Sequence, residues 1–76
     1  MKKLIEFIAI NIVDDPDAVE VEEEEIDGRT ILHLYVADDD MGKVIGKRGR
    51  IANAMCDLLT VAAVQRGVRA SLDIGD

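Results

Sequence analysis

The chain is poor in aromatic residues and in cysteine, and both shortages limit what it can be. Phe7 and Tyr35 are its only aromatic residues, so the core must be aliphatic and few rings are available to stack on nucleobases. Cys56 is its only cysteine, which excludes a disulfide within the chain and suits a reducing compartment. We therefore expect a cytoplasmic protein in which Cys56 is a small buried hydrophobic residue.

Long apolar runs and catalytic motifs are also lacking. No apolar run reaches the roughly 18 residues that span a membrane, and Glu6 interrupts the run that begins at Leu4, so we expect neither a membrane span nor a signal peptide. The chain has no Gly-x-x-x-x-Gly-Lys-[Ser/Thr] motif and no serine or cysteine beside a base. The lone His33 has no second ligand at metal-binding spacing, and residues 22–25 lack the spacing of a calcium loop. We expect no enzyme, no metal site and no cofactor.

Basic residues are scarce overall but concentrated in one segment. The net charge of −7 argues against a protein that binds nucleic acid over its whole surface. Residues 14–27 contain nine acids and no base, whereas residues 41–70 contain six bases and one acid, a net charge of +5. Because the local potential decides where an anion docks, we expect anions to bind in the second segment only.

The apolar pattern predicts one small domain, residues 1–76, that begins with a helix over 2–13. Leu4, Ile5, Ile8 and Ile12 form one stripe of this helix, whereas Phe7 and Ile10 lie away from it. This second apolar face is either wrapped by the rest of the domain or meets another protein. Pro16 ends the helical region.

The remaining pattern predicts strands over 18–26 and 30–36, joined by a turn at Asp27-Gly28. The aspartates 38–40 are candidate caps for a short helix from Met41. A long helix follows over 50–66, then a strand over 68–74; the predicted buried stripe of the helix is Ile51, Met55, Leu58, Leu59 and Ala62. The order α-β-β-α-α-β predicts an α+β fold of two layers, in which a three-stranded mixed sheet carries the helices on one face.

The most informative motif lies between the two predicted helices. Gly46 and Gly49 bracket Lys47 and Arg48. Glycine permits a tight turn and a close approach to a ligand, and the first N–H groups of the following helix favour an anion. The plainer interpretation is that the glycines only end one helix and start the next, and that the two cations are ordinary solvated charges.

The segment 42–55, Gly-Lys-Val-Ile-Gly-Lys-Arg-Gly-Arg-Ile-Ala-Asn-Ala-Met, and the element order resemble a type II KH domain. Over essentially its full length the chain is most similar to the small stand-alone bacterial KH proteins of the KhpA (or YlqC) family. Ala52 departs from the pattern, because many KH domains have a bulky aliphatic residue at that position.

The resemblance implies binding of single-stranded RNA in the cytoplasm, with about four nucleotides per groove. It also implies a post-transcriptional regulator or RNA chaperone, and a dimer formed with itself or with a larger KH protein of the KhpB (Jag) type. The alternative is a protein-interaction subunit whose KH fold acts mainly as a dimerisation partner.

The predicted RNA-binding residues combine backbone, charge and an aliphatic groove. We expect phosphates to contact the backbone from Gly46 to Gly49 and the side chains of Lys47 and Arg48, with Lys43 and Arg50 at the flanks. We expect bases to lie on Val44, Ile45, Ile51 and part of the strand near residues 34–36. His33 is predicted to be structural or to lie on the open face of the sheet.

Overall fold

The structure is a computed structural model that describes residues 1–75, with all side chains in that range except that of Lys47. The predicted α-β-β-α-α-β order is confirmed. Its elements are α1 (Lys2–Ile10), β1 (Glu20–Ile26), β2 (Arg29–Tyr35), α2 (Met41–Ile45), α3 (Arg50–Arg66) and β3 (Arg69–Gly75), with single 3₁₀ turns at Pro16–Ala18, Asp38–Asp40 and Lys47–Gly49.

The sheet has the order β1-β2-β3, so β2 is the central strand. β1 pairs with β2 in the antiparallel sense, and β2 pairs with β3 in the parallel sense. Asp27 and Gly28 join the first pair with positive φ angles of 52° and 78°, as a two-residue type I′ hairpin requires. The exposed glutamates of β1 lie along a sheet edge, where charge discourages pairing with foreign strands.

The helices pack on one face of the sheet and enclose an aliphatic core. The core residues of β2 are Leu32 and Leu34, which alternation places on the same face. α1 contributes Ile5 and Ala9, one helical turn apart, and α3 contributes Met55, Leu59 and Ala63 along a single line. The long helix ends at Gly67, as predicted; its φ of 70° and the bond from the Val68 N–H to the Ala63 carbonyl (3.0 Å) close the last turn.

The helix α1 is shorter than predicted, because it ends at Ile10 rather than at residue 13, and Asn11 then donates its side-chain amide to the Phe7 carbonyl (2.7 Å). Phe7 is 66% exposed, so of the two alternatives for the second face of α1, wrapping by the domain is excluded.

Two residues predicted to be buried are not. Leu58 is 50% exposed and Ala63 is buried in its place, because the line from Met55 through Leu59 is the one that faces the sheet. Cys56 is half-buried rather than buried.

Asp40 does not cap the short helix, contrary to expectation; it anchors a different part of the chain. Its carboxylate is only 2% exposed and accepts hydrogen bonds from the backbone N–H groups of Asp14 (3.2 Å) and Asp15 (3.1 Å). A buried carboxylate is stable when backbone donors replace its water. The contact therefore fastens the start of α2 to the segment that follows α1.

His33 lies on the sheet face opposite the helices, in agreement with the prediction. Its Nε2 is 3.1 Å from Glu24 Oε1, and its Nδ1 is 3.1 Å from Asp73 Oδ2. The hydrogen bond with Glu24, and then that with Asp73, raises the pKa of His33 above its ordinary value. The imidazole thus joins all three strands most strongly when it is protonated.

Replacing His33 with Gln should remove a pH-dependent part of the stability. Since the pKa of His33 is higher in the folded state, its contribution is complete below the unfolded value of about 6.5 and is lost as pH rises through the raised folded pKa. The difference in melting temperature between wild type and His33→Gln, measured by circular dichroism from about pH 5.5 to about pH 8, should therefore shrink with pH. A difference that stays constant would contradict this role.

Candidate nucleic-acid interface

The chain leaves α2 through Gly46, and the backbone conformation of Gly46 is essentially limited to glycine. Its φ is 70° and its ψ is −179°. A Cβ atom at this position would lie 2.9 Å from Ile51 Cβ and 3.0 Å from the Ile51 backbone nitrogen. Ile51 belongs to the first turn of α3, so the missing side chain lets the end of α2 pack directly on the start of α3.

Gly49 is required for a different reason. It begins α3 with a left-handed backbone, φ 77° and ψ 14°, but a Cβ there would meet nothing closer than the Asn53 side-chain nitrogen at 3.9 Å. Space is available and only the conformation favours glycine. Arg48 is also left-handed, with φ 57° and ψ 30°, which costs a non-glycine residue roughly 1–2 kcal/mol. Strain of this kind is concentrated at binding sites.

The predicted cations divide into two groups. Arg48 and Arg50 are exposed, and no carboxylate of the described residues lies within ion-pair distance of either. Lys43 instead forms an ion pair with Asp14, and this hydrogen bond raises the pKa of the lysine. Lys47 is also a predicted RNA-binding cation, and its side chain lies outside the described part of the structure.

The segment 41–70 carries its positive charge at two separate places. The whole length of α3 lies between the loop and the two arginines Arg66 and Arg69. At a rise of 1.5 Å per residue, Arg50 and Arg66 are about 24 Å apart along the helix. Positive charge therefore lies at both ends of α3, and only one end contains the two glycines.

The predicted groove is narrower than expected. Val44 and Leu34 are fully buried and Val36 nearly so, so these side chains support the site from within the core. Ile45 is 40% exposed, and Ile51 is half-buried beside Gly46. Accessible apolar surface next to the loop thus comes from Ile45 and part of Ile51.

Two contacts that orient this site have no signal in the sequence. Lys43 and Asp14 are 29 residues apart, and Asp40 is 26 residues from Asp14. Among the described residues, no group of three or more His, Cys, Asp or Glu side chains is arranged to hold a metal ion. Nor is any helix in residues 1–75 both long and apolar enough to cross a membrane.

Comparison with known proteins gives one family. A family model described as "KhpA/KhpB, KH domain" matches residues 2–74. The protein named RNA-binding protein KhpA in Clostridium acetobutylicum is 49% identical over 74 residues, which cover 97% of this chain and 99% of that protein. The proteins of the same name in Halalkalibacterium halodurans and Treponema pallidum are 48% and 45% identical, over 100% and 99% of this chain and 100% and 94% of their own lengths.

A solved structure shares the fold. The crystal structure of a variant of Aquifex aeolicus Era, bound to GDP and aluminium fluoride, matches with a TM-score of 0.66 over 96% of this chain. The sequence identity is 14%, and the match spans 28% of the Era chain. The likeness therefore concerns the fold alone.

The two loop glycines should differ in their sensitivity to alanine. Gly49→Ala places a Cβ in open space with a left-handed backbone and should cost about 1 kcal/mol of unfolding free energy. Gly46→Ala meets a backbone penalty of about 1–3 kcal/mol and, in addition, the clash with Ile51. Urea unfolding of the two variants measures the difference; an equal or reversed order would contradict the packing of Gly46 on α3.

Proposed function

The chain belongs to the KhpA/KhpB KH-domain family, and we propose that it binds single-stranded RNA at the loop corner, residues 46–50. The observation that carries the proposal is the loop itself, in which Gly49 leaves its side-chain position open and two exposed arginines have no described carboxylate beside them. Relatives that share up to 49% of the sequence are named RNA-binding proteins, which supports the same ligand. We place this activity in the cytoplasm, in post-transcriptional regulation or as an RNA chaperone.

The loop corner would hold the sugar-phosphate backbone rather than read base pairs. The absence of a side chain at Gly49, where a Cβ would stand in open space, lets a phosphate approach the main chain. The N–H groups of the first turn of α3 would add roughly 0.3–1 kcal/mol of attraction at an exposed site. The guanidinium groups of Arg48 and Arg50 offer paired donors that fit phosphate oxygens. Lys43 stands at the flank with its charge partly satisfied by Asp14.

The bases would lie on aliphatic surface. Ile45 offers the largest exposed apolar side chain next to the loop, and the half-buried Ile51 continues that surface. Unpaired bases splayed against such a surface can be held without the aromatic stacking on which other RNA-binding modules depend. This explains how a chain with two aromatic residues can bind RNA.

Reversing the charge of the loop should abolish RNA binding without unfolding the protein. Lys47→Asp combined with Arg48→Asp removes two positive charges and adds two negative ones, and Asp tolerates the left-handed backbone of residue 48. The affinity for a short oligouridylate, measured by fluorescence anisotropy, should fall below detection, with the melting temperature within a few degrees of wild type. With two or three phosphates engaged, the log–log salt slope of the wild type should be about −1.4 to −2.1.

A matched control has the same change in charge away from the loop. Lys2→Asp with Lys3→Asp changes the start of α1, whereas the segment that contacts α2 follows the end of α1. This variant should bind RNA with an affinity within a few-fold of wild type. If the loop variant binds as well as this control, the RNA site is not the loop corner. The alternative, a protein-interaction subunit with a KH fold, would then be favoured.

We also propose that the chain forms a dimer with itself or with a larger KH protein of the KhpB (Jag) type, through the outer face of α3. Leu58, Val61 and Val64 are 50%, 56% and 71% exposed and lie on one side of the helix. Large apolar side chains grouped in this way are typical of protein interfaces. A dimer whose two loop corners reach one RNA strand would bind it more tightly than either corner alone.

Placing a charge in the α3 stripe should shift the protein toward the monomer. Leu58→Glu should weaken self-association at least tenfold, because burying a leucine contributes about 1.5–3 kcal/mol, and should leave the melting temperature of the monomer nearly unchanged. Sedimentation equilibrium measures the change and compares it with that of Phe7→Glu, which places the same charge on the exposed apolar face of α1. If Phe7→Glu dissociates the dimer and Leu58→Glu does not, the α3 interface is wrong.

A further inference from the structure

Two arginines lie side by side at one end of the sheet, near the C-terminal end of α3. The loop corner lies at the other end of that helix. Arg29 begins β2 and Arg69 begins β3, and the parallel register places them directly opposite each other. Both are exposed, and no carboxylate of the described residues is within ion-pair distance of either. Like charges that face each other on neighbouring strands are destabilising, so this pair costs stability unless an anion lies between them.

The surroundings of the pair fit an extended ligand. Arg29 and Arg69 line a groove on one side together with Ile26, Asp27 and Ile31. The same two arginines line a second groove together with Thr60 and Val64 of α3. Val64 belongs to the proposed dimer face, so the groove beside Ile26 and Ile31 is the one that stays open in a dimer. Asp27 is the only carboxylate in either lining, so the two guanidinium groups give the local surface a positive charge.

The position of the pair favours RNA over an acidic polypeptide. α3 connects the loop corner to the arginines and carries a single acid, Asp57, whereas the opposite edge strand β1 carries five glutamates. An RNA strand held at the loop corner is already at high effective concentration near the rest of α3. A guanidinium group binds phosphate and carboxylate alike through two parallel hydrogen bonds, so the connection to the loop corner is what favours RNA.

We propose that Arg29 and Arg69 form a second phosphate-binding site, which engages RNA that extends beyond the loop corner. This inference rests on the proposed function. α3 is about 24 Å long, and the pair lies beyond its end, on the sheet face that also carries His33 and Asp73. A stacked strand at about 3.4 Å per nucleotide therefore needs at least about seven further nucleotides to reach the pair. RNA of about four nucleotides occupies one KH groove only, so the second site contributes only to longer strands.

The test compares short and long RNA on the full chain. Arg29→Gln with Arg69→Gln should weaken binding of an oligouridylate of about 16 nucleotides about tenfold and reduce its log–log salt slope by about 1.4, because two phosphate contacts are lost. Binding of an oligouridylate of about four nucleotides should change less than about twofold. The melting temperature should stay the same or rise, since the repulsion between the two arginines is removed.

The control variant Lys2→Gln with Lys3→Gln has the same loss of charge and should leave both lengths unaffected. If the arginine variant weakens the long RNA no more than this control does, the second site is overturned while the proposed function stands. If the wild type binds neither length, the proposed function fails and this inference with it. If the arginine variant changes only the sedimentation of the RNA-free protein, the pair contacts an acidic protein surface and the RNA site is overturned.

Discussion

At Gly46 the chain turns out of α2 with Ile51 of α3 packed where a side chain would begin. This contact sets the distance between the two helices, and the distance sets the shape of the loop between them. A loop whose ends are pinned so closely has few conformations, and one of its residues, Arg48, is held in a strained left-handed backbone. The strain is sustained by the packing on either side, which leaves the loop preorganised for a ligand.

The same short helix is secured at its other end by a buried carboxylate. Asp40 binds two backbone N–H groups beyond α1, and Lys43 reaches Asp14 in the same segment. The charged residues in and around α2 therefore have two distinct roles. Asp40 and Lys43 hold α2 in place, whereas Arg48 and Arg50 lie beside no described carboxylate and remain available to an anion.

Local patterns were sufficient to predict the element order, the hairpin turn and both ends of α3, because each depends on residues close in sequence. Gly49 and Gly67, for example, mark the ends of that helix through their own backbone angles. The exposure of Leu58 could not be predicted, since helical periodicity allows several neighbouring stripes and the position of the sheet selects one. The partnership of Lys43 with Asp14 depends on chain segments 29 residues apart.

The parallel pairing of β2 with β3 places the whole loop corner inside one crossover connection, residues 36–68. Closing a connection of this length costs about 3 kcal/mol of chain entropy, and contacts so distant in sequence slow folding. The docking of β3 on the central strand and the packing of α3 on the sheet offset that cost. In a peptide that contains α2, the loop and α3 without the strands, Met55, Leu59 and Ala63 would have no sheet to pack on, and the contact of Gly46 with Ile51 alone would have to hold the loop in shape.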